Sequence, residues 1–153
     1  MRKGLFGIVL FLLITPVLWA YPYPEAFKED LEDRTEKSID EIEDSMDKIN
    51  DLIDVYIDKS EDCQTLKNCY DHVRMAIRHQ KIALASFRQA DGLLKQITRI
   101  IDCEKCKTED EHVRRLRRCE SDFRKAHRLY VNGKRNFEVG TLYFRKARYK
   151  QAE

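Results

Sequence analysis

The sequence predicts an all-α protein: an elongated, coiled-coil-like, up-down-up antiparallel bundle of three helices, with helices 2 and 3 closely packed. Three observations lead there. After Pro24 the chain contains no proline, and after residue 20 its only glycines are Gly92, Gly133 and Gly140. Charged residues make up 37% of the chain and are interleaved with apolar residues at steps of three and four, the period of an amphipathic helix. Aromatic and small residues recur at every seventh position over long stretches, the signature of helices packed along a seam.

Ahead of the predicted bundle stands a segment of different character. Arg2 and Lys3 precede a nearly continuous apolar run from Leu5 to Ala20, interrupted by Pro16. A short basic start, an apolar middle and a small residue at the end make the pattern of a secretory signal peptide, here residues 1–20. The run is short for a membrane helix of about 20 residues, and no later stretch is apolar enough to span a bilayer. Residues 21–153 are expected to form a single helical-bundle domain.

Helix 1 is expected over roughly 25–59. Ile39, Ile42, Met46, Ile49, Ile53 and Tyr56 form its heptad seam, continued less regularly by Phe27 and Leu31. Ser60 to Gln64 makes a connection. Helix 2 follows over roughly 65–101, with a large stripe (Val73, Gln80, Phe87, Leu94, Ile101) beside a small one (Cys69, Ala76, Ala83, Ala90). Helix 3 is expected over roughly 108–150. Thr108-Glu109-Asp110-Glu111 matches a capping box, and its acids suit the positive end of the helix dipole. Asn132-Gly133 would ordinarily signal a turn. However, Phe123, Tyr130, Phe137 and Phe144 keep one phase across it, so a continuous helix is expected.

The small residues of helix 3 are Cys119, Ala126, Gly133, Gly140 and Ala147. In an antiparallel hairpin centred between Glu104 and Lys105, Ala90 would face Cys119, Ala83 would face Ala126, Ala76 would face Gly133, and Cys69 would face Gly140. Small side chains on both sides allow the near end of the usual 8–10 Å axis separation, which would offset the helix propensity lost at each glycine, about 1 kcal/mol. Helix 1 would run parallel to helix 3, each residue level with one about 83 positions later.

Charge is unevenly placed. Residues 21–62 carry a net −11, residues 63–102 a net +4 and residues 103–153 a net +7, so the chain without residues 1–20 is neutral. Opposed segments suggest that the acidic flanks of helix 1 lie along the basic side of helix 3. Arg114, Arg115, Arg117, Arg118, Arg124 and Lys125 are read first as the solvated flank of helix 3, partly neutralised by helix 1. The alternative is a polyanion-binding set for a sulfated glycan or anionic lipid. Nucleic acid is not expected.

Five cysteines in a chain routed to an oxidising compartment predict disulfides. Cys63 with Cys69 would staple the entrance to helix 2, and Cys103 with Cys106 would pair within the second connection, Asp102 to Lys107. Cys119 lies about 16 Å along helix 3 and is expected as a buried free thiol. A Cys106–Cys119 bridge and a covalent dimer through an unpaired cysteine are the alternatives. Zinc on Cys103, Cys106, His112 and Cys119 is disfavoured: His112 and Cys119 stand about 10 Å apart along one helix, whereas zinc–ligand bonds are about 2.0–2.3 Å. The Cys103-Glu-Lys-Cys106 pair lacks the strand-then-helix setting of a redox site. No nucleophile elbow, metalloprotease signature, phosphate loop or dinucleotide fingerprint appears, so no catalytic residue, metal or cofactor is expected. The expected function is that of a secreted, extracellular, non-enzymatic interaction protein with a protein partner. A carrier of lipid or another small apolar ligand is the alternative, with any cavity between helix 1 and the other two.

Overall fold

The computed structural model of the chain describes residues 24–64, 66–101 and 106–150. The predicted signal segment, residues 1–20, lies outside them, as do residues 102–105, which include Cys103. Among the described residues there are three helices, α1 (Pro24–Asp62), α2 (Lys67–Ile101) and α3 (Glu109–Lys150), and no strand. At 1.5 Å per residue, the 42 residues of α3 make a rod of roughly 60 Å. The fold is the expected all-α three-helix bundle. The α2–α3 interface is the most extensive, α1–α2 is intermediate and α1–α3 is the smallest.

The heptad seams become the core. On α1, Ile42, Ile49, Ile53 and Tyr56 are buried, and Ile39 and Met46 pack against them. On α2 every member of the large stripe, Val73 to Ile101, is buried, as is every member of the small stripe. The α3 small stripe from Cys119 to Ala147 is buried too, and the α3 aromatics close over it half-exposed. Two features differ slightly from expectation. Helix α1 continues to Asp62, so the connection to α2 is shorter, and α2 begins at Lys67. The cap of α3 is a variant of the predicted box: Glu111 N–H donates to Thr108 Oγ1 (3.2 Å), while the Glu111 carboxylate accepts from the N–H of Lys107 rather than Thr108 (3.2 Å).

Helix α3 is unbroken at Asn132-Gly133. Both residues are used across the helix pair. Asn132 Nδ2 donates to Ser86 Oγ at 3.0 Å, and Asn136 Oδ1 lies 3.0 Å from Nδ1 of His79, whose ring stacks on Tyr143 at 5.6 Å. These contacts also fix the register of α2 against α3, and it is not the one expected. Gly140 lies against Ala76, whose carbonyl oxygen would sit 3.1 Å from a Cβ at position 140; Cys69 clusters instead with Ala147. The pairing is displaced by one heptad.

The physical reason lies in the side chains that enter the seam. A Cβ on Gly133 would fall 2.5 Å from the Phe87 ring, and one on Gly140 would fall 2.8 Å from the Gln80 amide. Thus each α3 glycine is a hole that receives a large-stripe knob of α2. In the expected register, one heptad away, Gln80 would enter at Gly133 and Phe87 would meet Ala126, whose methyl occupies the space the ring needs. Gly92 belongs to neither pattern; it is exposed, with nothing near its missing Cβ.

Gln80 is fully buried. Its Nε2 donates to the Phe137 carbonyl at 3.2 Å, but its Oε1 has no partner among the described residues. Replacing a partly satisfied buried amide by an apolar side chain of similar volume is nearly neutral or stabilising. Gln80→Leu is therefore expected to leave the urea midpoint unchanged or raise it, with a gain of up to about 1 kcal/mol. A loss above about 2 kcal/mol would mean that the amide's single bond outweighs its unpaired oxygen.

Helix α1 runs parallel to α3 as expected, but with a longer offset. Arg34 meets Glu120, 86 positions later, and Glu41 meets Tyr130, 89 positions later. The anticipated pairing of α1 acids with α3 bases is not formed among the described residues. The α1–α3 ion pair among the described residues has the opposite polarity, Arg34 on α1 to Glu120 on α3 at 2.9 Å, and Lys95–Glu43 at 2.7 Å ties α1 to α2. Asp40, Asp44, Asp47, Asp51, Asp54 and Asp58 are exposed. The seam residues hold α1 in place, and its acids occupy the opposite sector.

Candidate functional site

The cysteines occupy the places that local geometry favours. Cys63 follows the last turn of α1 and Cys69 stands in the first turn of α2. Their Cα atoms are 5.5 Å apart and the two are bridged. Cys106 is also disulfide-bonded; its expected partner, Cys103, lies outside the described residues. Cys119 is a buried free thiol. Burial pushes its pKa up, assisted by the carboxylate of Asp122 and opposed by Arg115 and Arg118. A protonated, enclosed thiol is a poor nucleophile. Iodoacetamide at pH 8 should leave Cys119 unmodified in the native protein and alkylate it in urea. Rapid native alkylation would show that the α2–α3 seam opens.

Opening the short Cys63–Cys69 loop, six residues in sequence, has a modest expected effect. Loop-closure entropy predicts a loss of about 2 kcal/mol for the Cys63→Ser, Cys69→Ser double variant. Differential scanning calorimetry checks it; an unchanged Tm would indicate that burial of this end, not the cross-link, holds α1 to α2.

The structure divides the six-residue basic set predicted on α3. Arg124 pairs with Glu120 at 3.3 Å and Lys125 with Asp122 at 2.7 Å. Arg114 donates through Nε to the Asp110 carbonyl. Arg115 is half-buried and, with Arg118, borders a hollow floored by Ile97, Ile100 and Cys119. Arg117 is fully on the outside. Acids on α3 thus neutralise two of the six, Arg124 and Lys125; Arg114, Arg115, Arg117 and Arg118 form no ion pair with a carboxylate among the described residues.

A second basic surface lies on the outer face of α2. Arg74, Arg78, Lys81, Ala85 and Arg88 follow steps of four, three, four and three and are all exposed. Arg74 lies over the Tyr70 ring at 5.6 Å. Among the described residues none of these four cations forms an ion pair with a carboxylate. Ile77 and the exposed Ile82 join Arg74, Arg78 and Lys81 in lining a shallow trough. The sequence signal was present: α2 has no Asp or Glu between Asp71 and Asp91.

A second concavity opens between α1 and α3, above α2. It encloses about 220 Å³ and has an apolar floor of Ile42, Leu94, Phe123 and Ala126. Lys37, Ser38 and Glu41 border it from α1, and His127 and Tyr130 from α3. Arg34 closes one end, its guanidinium 5.0 Å from the Phe123 centroid and salt-bridged to Asp30 and Glu120. Tyr130 Oη donates to Glu41 Oε2 at 3.3 Å. No helix among the described residues is long and apolar enough to cross a membrane.

Fold and surface together define a disulfide-stapled three-helix bundle with an acidic α1 face and a basic α2 face. No protein-family model matches the sequence, and comparisons with curated proteins and with solved structures give no significant match.

Proposed function

We propose that this chain is an exported, non-enzymatic interaction protein that engages an acidic partner surface outside the cell through the outer face of α2. The single observation that supports this reading is the α2 strip: four cations without ion-pair partners among the described residues, spaced along one helical face and flanking the exposed Ile82 and the half-buried Ile77. Patches of this kind, apolar with a charged rim, are suited to docking. The basic, then apolar, then small-residue pattern of residues 1–20 supports export, and the cysteine use supports an oxidising destination.

Two measurements test the reading. Expression of the full chain in secretory cells should release protein whose N-terminal sequence begins at Tyr21; retention of residues 1–20 in the cell interior would contradict export. Partners captured from extracellular fluid by the wild type should be lost with the Arg74→Glu, Arg78→Glu, Lys81→Glu variant and should elute with moderate salt. Equal capture by the variant would remove the α2 strip from the proposal. Retention on heparin at physiological salt, lost in the same variant, would identify the acidic partner as a sulfated glycan.

A further inference from the structure

We infer that the cleft between α1 and α3 is a binding site for a small amphiphile with an apolar body and a single carboxylate head, of the size of a medium-chain fatty acid. The inference rests on the cleft's own geometry and stands apart from the α2 docking surface. Ligand pockets combine an apolar lining with a few convergent polar groups. Here Ile42 and Leu94, both buried on the bundle's inner seam, form the floor with Ala126, and the polar groups are confined to the lips.

Volume limits the body of the ligand. A dry apolar cavity of about 150 Å³ accommodates benzene, so 220 Å³ accommodates an alkyl chain of about six to eight carbons. A long-chain lipid would project from the mouth.

Charge selects the head. Of the cations at the cleft, Arg34 is already paired with Asp30 and Glu120. Lys37 on one lip and His127 on the other have no hydrogen-bonded or ionic partner among the described residues, and both are exposed. They are one ammonium and one imidazole facing the same opening, both able to donate to a carboxylate. Among the described residues Glu41 is the only acid that borders the cleft, and one of its oxygens accepts from Tyr130. The neighbouring α1 acids Asp33, Glu36 and Asp40 are exposed and do not line it. Ser38, half-buried between the lips, adds a hydroxyl.

Titration of the full chain without residues 1–20 with sodium octanoate, below its micelle concentration, tests the inference by methyl-resolved NMR. Saturable shifts of the Ile42 and Leu94 methyls are expected. Octylammonium should bind at least tenfold more weakly. Ser38→Trp, which fills the mouth from a half-buried position, should abolish the shifts, and Lys37→Glu with His127→Glu should weaken octanoate at least tenfold. Both lip residues are exposed, so this second variant keeps the fold, and circular dichroism verifies it. Unmoved floor methyls, equal binding of octylammonium, or undiminished octanoate binding by the lip variant would each overturn the assignment.

Discussion

Gly133→Ala is expected to destabilise the bundle by up to about 2 kcal/mol, the net of overpacking at the upper end of about 1–3 kcal/mol and the roughly 1 kcal/mol that alanine returns in helix propensity. The same substitution at Gly92 should stabilise it by about 0.5–1 kcal/mol. The opposite signs follow from surroundings. A methyl at position 133 would fall 2.5 Å from Cε1 and 2.7 Å from Cδ1 of Phe87. That ring is almost wholly buried and cannot swing away as a flexible chain end would. A methyl at position 92 meets no atom within 4 Å, so only the propensity gain remains. Urea denaturation of the two variants beside the wild type measures both. A rise in stability at both positions would show that Phe87 does not occupy the notch.

The second large effect is at Tyr56. Tyr56→Ala should cost about 3–5 kcal/mol, the range for truncating a buried aromatic. Tyr56 is nearly inaccessible and stacks on Phe144 of α3, with centroids 3.9 Å apart and ring planes inclined by 16°. It also clusters with Val73 and Ala76 of α2. It is thus a point where α1 touches both other helices, and the α1–α3 interface has little else to replace it. Amide hydrogen exchange should show α1 losing protection before α2 and α3 do. If all three helices lose protection together, α1 does not open separately.

Much of the bundle could be read from the chain because heptad repetition states which residues are buried. The α1 seam, both α2 stripes and the α3 small stripe all lie inside. The α2–α3 register could not be read in the same way, and the reason is the repetition itself. A ladder of small residues every seven positions is nearly unchanged when one helix slides by seven. Only the individual knobs distinguish the alternatives: Phe87 requires a hole as deep as Gly133, and Gln80 requires Gly140. Counting small residues on both sides treats all rungs alike and misses that requirement.

Charge was misplaced for a related reason. A sum over a helix records how many acids it has, not which sector they occupy. On α1 the seam turns most of them outward, away from α3. On α3 the density of arginine drew attention, although Glu120 and Asp122 sit within reach of Arg124 and Lys125. The α2 strip has fewer cations but no acid between Asp71 and Asp91, which becomes apparent only when acids are counted along the same face.

The register of the α2–α3 pair is set by the α2 side chain that fills the notch at Gly133. A nuclear Overhauser measurement on the Gly133 α-protons decides it. Cross-peaks to the Phe87 ring protons are predicted; cross-peaks to the Ala76 methyl in their place would put the helices one heptad away and contradict it.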